Sequence, residues 1–169
     1  MSVFYPHCDF RRIYDIPVSF WRERGITALL LDVDNTLTTH NNPQPHEKIL
    51  DWLARQRDAG LRLMILSNNH EERVCPFAQH LGLEYIASAA KPLPGRLRRA
   101  LAALGVRPEE AALIGDQIFT DILCGRLAGC LSVLVEPMEP EKSAFFRAKR
   151  RLETVVLRRY RKAKEKSGR

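Results

Sequence analysis

Runs of apolar residues recur along this chain, and stretches with helical periodicity separate them. Five runs, most of them rich in aliphatic side chains, have the length and composition of strands buried on both faces of a parallel sheet. They occupy residues 26–31, 61–66, 84–87, 111–114 and 131–135. Strands that alternate with helices at this spacing predict right-handed crossover connections. The pattern therefore predicts an α/β fold, with a five-stranded parallel sheet and helices on both of its faces.

The segments between these runs are predicted to be helical, and a glycine follows each of them, as at many helix C-termini. Their approximate bounds are 47–59, 71–80, 94–104 and 117–128. Residues 1–25 differ, because aromatic and arginine side chains are interleaved there without a clear period. We predict that they form an arm packed on the sheet domain. The alternative is a segment that binds a membrane surface or a partner.

Polar residues follow four of the predicted strands, at the point where each strand leaves the core. Because the carboxyl ends of parallel strands meet at one edge of a sheet, these side chains are expected to lie together. Two aspartates separated by one residue repel each other unless a cation or a proton lies between them. Mg²⁺ is the natural cation, since it prefers carboxylate and carbonyl oxygen. The residues predicted at this edge are Asp32, Asp34, Ser67, Asn68, Lys91, Asp116 and Asp121.

This combination of groups suits phosphoryl transfer. A carboxylate can attack phosphorus, while a hydroxyl, an ammonium group and Mg²⁺ neutralise the phosphoryl oxygens. Taken singly, each residue has a simpler interpretation: Ser67 as a helix cap, Lys91 as a solvated charge, Asp116 and Asp121 as first-turn acids. Their joint position at strand ends favours a site. The histidines near the same edge have no metal-ligand spacing and are interpreted as polar loop residues: His40, His46 and His70.

Four segments of the chain resemble, in order, the four motifs of the haloacid dehalogenase superfamily of phosphohydrolases. They are Asp32-x-Asp34-x-Thr36, Ser67, Lys91 and Gly115-Asp116-Gln-x-x-Thr-Asp121. The resemblance covers about residues 26–136. The sequences Asp-Asn-Thr-Leu and Leu-Ser-Asn-Asn are most similar to the capless subclass IIIA and, within it, to the YqeG-type family. This family implies a Rossmann-like fold without a cap domain.

The resemblance also implies roles for the acidic residues. Asp32 would be the nucleophile, and Asp34 the general acid and base, which also binds Mg²⁺ through its backbone carbonyl. Asp116 would be the third Mg²⁺ ligand, and Thr36 would steady the first loop. The common motif places its second acid four residues after the first, whereas Asp121 follows Asp116 by five. Asp121 is therefore expected to be an outer residue or a helix cap.

The remaining motif residues would bind the phosphoryl group. Ser67 would contact it together with the backbone N–H of Asn68, and Lys91 would hold the same oxygens and the nucleophile. The intervals 37–60 and 70–90 are too short for an inserted cap. An open site admits a phosphate on a large carrier, unless a neighbouring subunit supplies a lid. Since relatives of the YqeG type include phosphatidylglycerophosphate phosphatases, that lipid is the predicted substrate; the alternative is a nucleotide or another soluble phosphomonoester.

The charge of the chain, +7 in total, is concentrated at its C-terminal end. Residues 147–169 contribute +9, which leaves −2 for the first 146 residues. Apolar residues recur there at helical spacing, so residues 141–169 are predicted to be a basic amphipathic helix and tail, following an arm at 1–25 and the catalytic domain at 26–140. The apolar stripe consists of Phe145, Ala148, Leu152, Val156 and Tyr160.

Three interpretations of this helix stay open. It binds an anionic membrane surface, or its stripe docks on the sheet domain, or it binds a polyanion such as RNA. The last would suit a nucleic-acid- or ribosome-binding module with vestigial chemistry. No apolar span reaches the length of a membrane helix, and the first twenty residues lack the apolar core of a signal peptide. We therefore expect a cytoplasmic protein, with peripheral association to the inner membrane face as an option.

Overall fold

The computed structural model of the chain describes residues 2–40, 42–140 and 143–166. Six parallel strands form one sheet in the order β1-β6-β5-β2-β3-β4. The strands are β1 (Cys8–Phe10), β2 (Ala28–Leu31), β3 (Arg62–Leu66), β4 (Glu84–Ile86), β5 (Ala111–Gly115) and β6 (Leu131–Val135). The helices are α1 (Val18–Arg22), α2 (Glu47–Asp58), α3 (Glu71–Leu81), α4 (Gly95–Leu104), α5 (Leu123–Ala128) and α6 (Ala144–Lys166).

The predicted fold class, a parallel sheet with helices on both faces, is confirmed. One face of β2 presents Leu29 and Leu31 to the core under α1, α2 and α3, where Trp52 and Phe77 are buried. The other face packs against α4 and α5, with Leu30 among the buried residues. Every residue of β2 is buried, which is why its sequence is a continuous apolar run.

The sheet has six strands rather than the predicted five. The additional strand, β1, lies in the N-terminal arm and pairs in parallel with β6 at the edge of the sheet. Because β1 has only three residues, it is too short to show an alternating pattern in the sequence. The rest of the arm is packed as well, since Ile13, Ile16 and Trp21 are buried.

The register of the central strands brings their carboxyl ends level. Leu31 of β2 pairs with Ile65 of β3 on one side and with Ile114 of β5 on the other. The Asp32 N–H continues the ladder by donating to the Ile114 carbonyl at 3.0 Å. The residues that follow these three strands therefore leave the sheet at the same height.

The C-terminal helix α6 lies against the domain. Tyr160 is buried, and its hydroxyl donates to Asp9 of β1 at 3.1 Å. Val156 and Leu157 are half-buried against the small cluster of Ile118, Ile122 and Leu134. Two residues of the predicted stripe, Ala148 and Leu152, are instead exposed, and the side chain of Phe145 lies outside the described residues. Val156 and Tyr160 of the predicted stripe therefore pack on the domain, whereas towards the N-terminal end of α6 a polar residue, Glu153, is buried instead.

Candidate active site

Lys91 joins two aspartates at the carboxyl edge of the sheet. Its Nζ atom donates to Asp32 Oδ1 at 2.7 Å and to Asp121 Oδ1 at 2.6 Å. The Leu66 carbonyl at the end of β3 accepts a third hydrogen bond at 2.8 Å. All three donors of the ammonium group are thereby used, and only 2% of the Lys91 side chain is exposed. Lys91 thus holds residues from three distant parts of the chain together.

The backbone of Lys91 is fixed by Asn68. The Lys91 N–H donates to Asn68 Oδ1 at 2.7 Å, and Asn68 Nδ2 donates to the Lys91 carbonyl at 2.9 Å. The Lys91–Pro92 peptide bond in this loop is cis. From the sequence, only the backbone N–H of Asn68 was predicted to contact phosphate. In the structure the Asn68 side chain also positions Lys91.

A wide turn brings Asp121 into the site. Residues Ile118–Ile122 form a π-helical turn, in which the Ile122 N–H reaches the Gln117 carbonyl at 3.2 Å. A π-helical turn contains one more residue than an α-helical turn. It therefore absorbs the extra residue between Asp116 and Asp121, and Asp121 lies within the acidic cluster rather than outside it. Its Oδ2 also accepts from the Gln117 N–H at 3.1 Å, which is a capping contact.

The acidic cluster fits a divalent cation. Asp32, Asp116 and Asp121 each offer a carboxylate oxygen, and these oxygens all lie within 4.8 Å of one another. Asp116 Oδ1 is buried and has no hydrogen-bond partner among the described residues. A buried carboxylate oxygen without a partner is costly unless something else binds it. Carboxylate oxygens are the donors that hard divalent cations bind.

The electrostatic state of these groups reflects their burial. Desolvation raises the pKa of Asp32 to about 6, although Lys91 opposes the shift, and Asp121 adds to it. Burial also raises the pKa of Asp116 well above its usual range, against the effect of Arg150. For Lys91 burial alone would lower the pKa, but the carboxylates of Asp121 and Asp32 outweigh it and raise the pKa. Without a cation, the cluster therefore favours bound protons.

Asp34 occupies a different environment, at the mouth of the site. Asn69 Nδ2 donates to its Oδ2, and Arg73 Nη2 donates to its Oδ1 at 3.0 Å. His40 Nδ1 lies 3.7 Å from the same carboxylate. Asn69 is the fourth residue of the Leu-Ser-Asn-Asn motif, so the sequence offered a reason to include it in the site. For Arg73, which lies inside α3, the sequence offered no such reason.

Ser67 and Thr36 lie beside the cluster. Ser67 is buried, lines the site, and its Oγ accepts from the Asn69 N–H at 3.2 Å. Thr36 is buried in the tight turn after β2, where its N–H donates to the Val33 carbonyl at 3.2 Å. The steadying and phosphate-binding roles of these two residues stay predictions.

Most of these residues, though not Thr36 or Asp116, line one cavity of about 310 Å³. In the described parts of 37–60 and 70–90, no inserted domain covers it. Of the three edge histidines only His40 lines it, whereas His46 caps α2 by accepting the Lys48 N–H. The lining consists of Asp32, Asp34, His40, Ser67, Asn68, Asn69, Lys91, Gln117, Thr120, Asp121 and Lys149.

The helix α6 contributes side chains that sequence reasoning missed. Arg150 forms an ion pair with Asp116, and Lys149 Nζ donates to Gln117 Oε1 at 2.6 Å. Glu153, which is buried, accepts from the Phe119 N–H at 3.2 Å. The sequence signal for these residues is weak, because they are charged groups in a segment rich in charge.

Comparison with known sequences places the chain in one family. A model of the haloacid dehalogenase-like hydrolases matches residues 10–129. The chain is 30% identical over 154 residues to the probable phosphatase YqeG of Bacillus subtilis (strain 168), which is 91% of this chain and 90% of that protein. It is 25% identical over 165 residues to phosphatidylglycerophosphate phosphatase 1 of Arabidopsis thaliana. That match spans 92% of this chain but 47% of the longer plant protein.

Solved structures show the same fold. An uncharacterized protein from Listeria monocytogenes serotype 4b superposes with a TM-score of 0.57 at 18% identity, over 70% of this chain and 85% of that one. The cobalt-bound deoxy-D-mannose-octulosonate 8-phosphate phosphatase of Haemophilus influenzae gives a TM-score of 0.54 at 18% identity, over 66% and 69%. With its motif residues gathered at one edge of this sheet, the chain belongs to the haloacid dehalogenase-like hydrolases and is a phosphatase of the YqeG type.

Proposed function

We propose that the enzyme hydrolyses phosphomonoesters with Mg²⁺ as cofactor and with Asp32 as the residue that is transiently phosphorylated. The observation that carries this proposal is the junction of Lys91 with Asp32 and Asp121 beside the uncommitted oxygen of Asp116. The proposed nucleophile and the fixed cation line one open cavity, and the cation-binding cluster shares Asp32 and Asp121 with its lining. Each is a requirement of phosphoryl transfer through a carboxylate.

The proposed reaction has two displacements. Asp32 forms a bond to phosphorus while the bond from phosphorus to the ester oxygen breaks, and Asp34 gives its proton to the leaving alcohol. Water then attacks the phosphorus of the aspartyl phosphate, Asp34 takes a proton from it, and the Asp32 carboxylate is restored. Asn69 and Arg73 would orient Asp34 for both transfers, while Ser67 and Lys91 would contact the phosphoryl oxygens, Lys91 by exchanging one of its present hydrogen bonds.

The residues that would hold Mg²⁺ are Asp32, the Asp34 backbone carbonyl and Asp116, with Asp121 next to them. Bound there, Mg²⁺ would supply positive charge to the transferring phosphoryl group and relieve the repulsion among the carboxylates. Removal of Mg²⁺ with a chelator such as EDTA is therefore expected to abolish turnover.

Hydrolysis of p-nitrophenyl phosphate tests the assigned chemistry. We expect turnover that requires Mg²⁺ and falls by a factor of about 10⁴ or more in Asp32→Asn, because no nucleophile remains. Asp51→Asn, an exposed aspartate on α2, is the matched control and should retain full activity. Full activity in Asp32→Asn would reject the proposed nucleophile.

We further propose a lipid phosphate, phosphatidylglycerophosphate, as the substrate. The open cavity accepts a phosphate whose carrier remains outside the protein. The plant relative that aligns with 92% of this chain is named for that activity. Turnover of this lipid in mixed micelles, compared with nucleoside monophosphates and other soluble phosphomonoesters, tests the assignment. Preference for a soluble ester by kcat/KM would replace the lipid while leaving the Asp32 chemistry intact.

The outer face of α6 is proposed as the contact with an anionic membrane. This face, defined by Arg151, Leu152, Val155, Arg158 and Arg159, combines exposed basic and apolar side chains. Basic residues near an anionic leaflet contribute about 1 kcal/mol each. Reversing two charges in Arg158→Glu/Arg159→Glu should thus weaken binding to phosphatidylglycerol vesicles at least about 30-fold.

Cosedimentation with vesicles measures this effect, and Arg55→Glu/Arg98→Glu, on exposed positions of α2 and α4, is the matched control. Equal binding of both variants would reject the membrane contact. If Arg158→Glu/Arg159→Glu instead lost binding to RNA and kept binding to vesicles, the face would be assigned to a polyanion.

A further inference from the structure

We infer that Arg150 of α6 is a positioning residue for the cation site, because it fixes Asp116 with one carboxylate oxygen left available. This inference rests on the proposed cation site. It makes the C-terminal helix a part of the active site and not only a cover for the sheet. In the described part of the chain, Arg150 is the cation that touches Asp116, so the orientation of this carboxylate depends on α6.

Arg150 makes the two carboxylate oxygens of Asp116 different, because it binds only one of them. The Arg150 Nη2 atom donates to Asp116 Oδ2, and Nη1 donates to the Asp116 backbone carbonyl at 2.6 Å. Asp116 Oδ1 is buried and accepts no hydrogen bond from residues 2–40, 42–140 or 143–166, with the carboxylate oxygens of Asp32 and Asp121 close by. The guanidinium group thus holds both the side chain and the backbone of Asp116. A planar group with several donors can do this, whereas a lysine ammonium offers a single charged atom.

Arg150 is itself held in place by Glu153. Arg150 Nη1 lies 3.0 Å from Glu153 Oε2, one helical turn along α6. The other carboxylate oxygen, Glu153 Oε1, accepts from the Phe119 N–H at the start of the π-helical turn. The Arg150–Glu153 pair therefore connects α6 with the segment that carries both Asp116 and Asp121. Glu153 is 2% exposed, which would be costly for a carboxylate without these partners.

This network predicts that α6 controls the affinity for the cation. Partners that orient a metal ligand typically change metal affinity by 10–100-fold when they are removed. We expect Arg150→Gln to raise the Kd for Mg²⁺ by about that factor. Arg150→Lys should recover part of the affinity, since it keeps the charge but not both contacts. Glu153→Gln should give a smaller increase in Kd, because it loosens Arg150 without removing it.

Isothermal titration of the full-length protein with Mg²⁺ measures these values, at a temperature where circular dichroism shows every variant to be folded. Arg98→Gln, the same substitution at an exposed position of α4, is the matched control and should bind Mg²⁺ as the wild type does. Kinetics on p-nitrophenyl phosphate provide a second readout: kcat of Arg150→Gln should approach the wild-type value as Mg²⁺ is raised to saturation.

Each alternative has its own result. If Arg150 is only structural, Arg150→Gln will lower the melting temperature in EDTA but leave the Kd for Mg²⁺ of the folded protein unchanged. That result would overturn the inference. Tighter Mg²⁺ binding by Arg150→Gln would also overturn it, because the arginine would then compete with the cation. If the wild-type protein binds no Mg²⁺ while Asp32→Asn still abolishes hydrolysis, the cation site and this inference fail, but the Asp32 chemistry stands.

Discussion

The strand ends and the C-terminal helix contribute to the same cluster in different ways. At the strand ends, Lys91 lies between Asp32 and Asp121 and is almost completely buried. On α6, Arg150 contacts Asp116 from the side and keeps 19% of its side chain exposed. In the proposed mechanism the first region would supply the reacting groups, whereas the second would orient a cation ligand. The difference teaches that two separate parts of this chain form the acidic cluster, one by burial at the strand ends and one by contact from a helix.

The sharpest test of this comparison is the loss of Lys91. In EDTA, Lys91→Met should lower the free energy of unfolding by about 3–5 kcal/mol, because two buried carboxylates lose their cation. Arg150→Met should cost less, since Arg150 is partly solvated and neutralises one carboxylate. Urea unfolding monitored by circular dichroism measures both, with Lys162→Met on the exposed part of α6 as control. A larger loss in Arg150→Met would reverse the proposed order of the two regions.

The pH dependence of stability probes the strand-end region alone. Because the folded-state pKa of Asp32 is raised to about 6, its stabilising contribution is full below its ordinary pKa and is lost as the pH rises through 6. Between pH 4 and 7.5 in EDTA, the wild type should therefore lose on the order of 3 kcal/mol relative to Asp32→Asn. Urea unfolding across this range measures the difference; parallel profiles for the two proteins would show that Asp32 is not the titrating group.

Gly115, the last residue of β5, tests how closely the Asp121 side chain packs against this strand. A Cβ atom at this position would lie 2.3 Å from Asp121 Cγ, so alanine must displace that side chain. We expect Gly115→Ala to cost about 1–3 kcal/mol and to reduce turnover. Gly95→Ala is the control, because nothing lies within 4 Å of its added methyl group. That control should be neutral or more stable by up to about 1 kcal/mol; an equal loss in both variants would contradict the packing argument.

The smallest expected effect distinguishes the two faces of α6. Leu152 is 63% exposed, and Leu152→Ser should change the free energy of unfolding by no more than about 0.5 kcal/mol. Leu157→Ser, on the half-buried face, should cost about 1 kcal/mol or more. Thermal unfolding of the two variants measures the contrast. A larger loss for Leu152 would place the predicted stripe, and not the observed face, against the domain.

The predictable part of the molecule is the part where burial leaves a local pattern. Strand β2 is buried on both faces, so its sequence is a continuous apolar run, and Asp32 marks where that run ends. The same holds for Ser67 after β3 and Asp116 after β5. Convergence of these residues follows from parallel topology alone, and no knowledge of side-chain packing is needed.

The parts that escaped prediction depend on contacts between distant segments. Arg150 and Glu153 look like solvated charges in the sequence, yet each is paired with the segment that begins at Asp116. From periodicity alone, Leu152 was predicted on the inner face of α6. In the structure the ionic network of Arg150 and Glu153 occupies that part of the face, and Leu152 is exposed. Asp121 was predicted at this edge, but its contact with the acidic cluster was not, because a spacing of five residues has no fixed meaning until the π-helical turn is seen.

Both margins of the sheet are three-residue strands, β1 and β4. Long unpaired margins invite other chains to add strands, which is a common route to aggregation. Here little backbone is available for such pairing, and at β1 the side chains of Tyr160 and Lys164 are tethered to Asp9. The short margins thereby disfavour strand addition at the sides of the sheet, while the end that carries the acidic cluster stays accessible through its cavity.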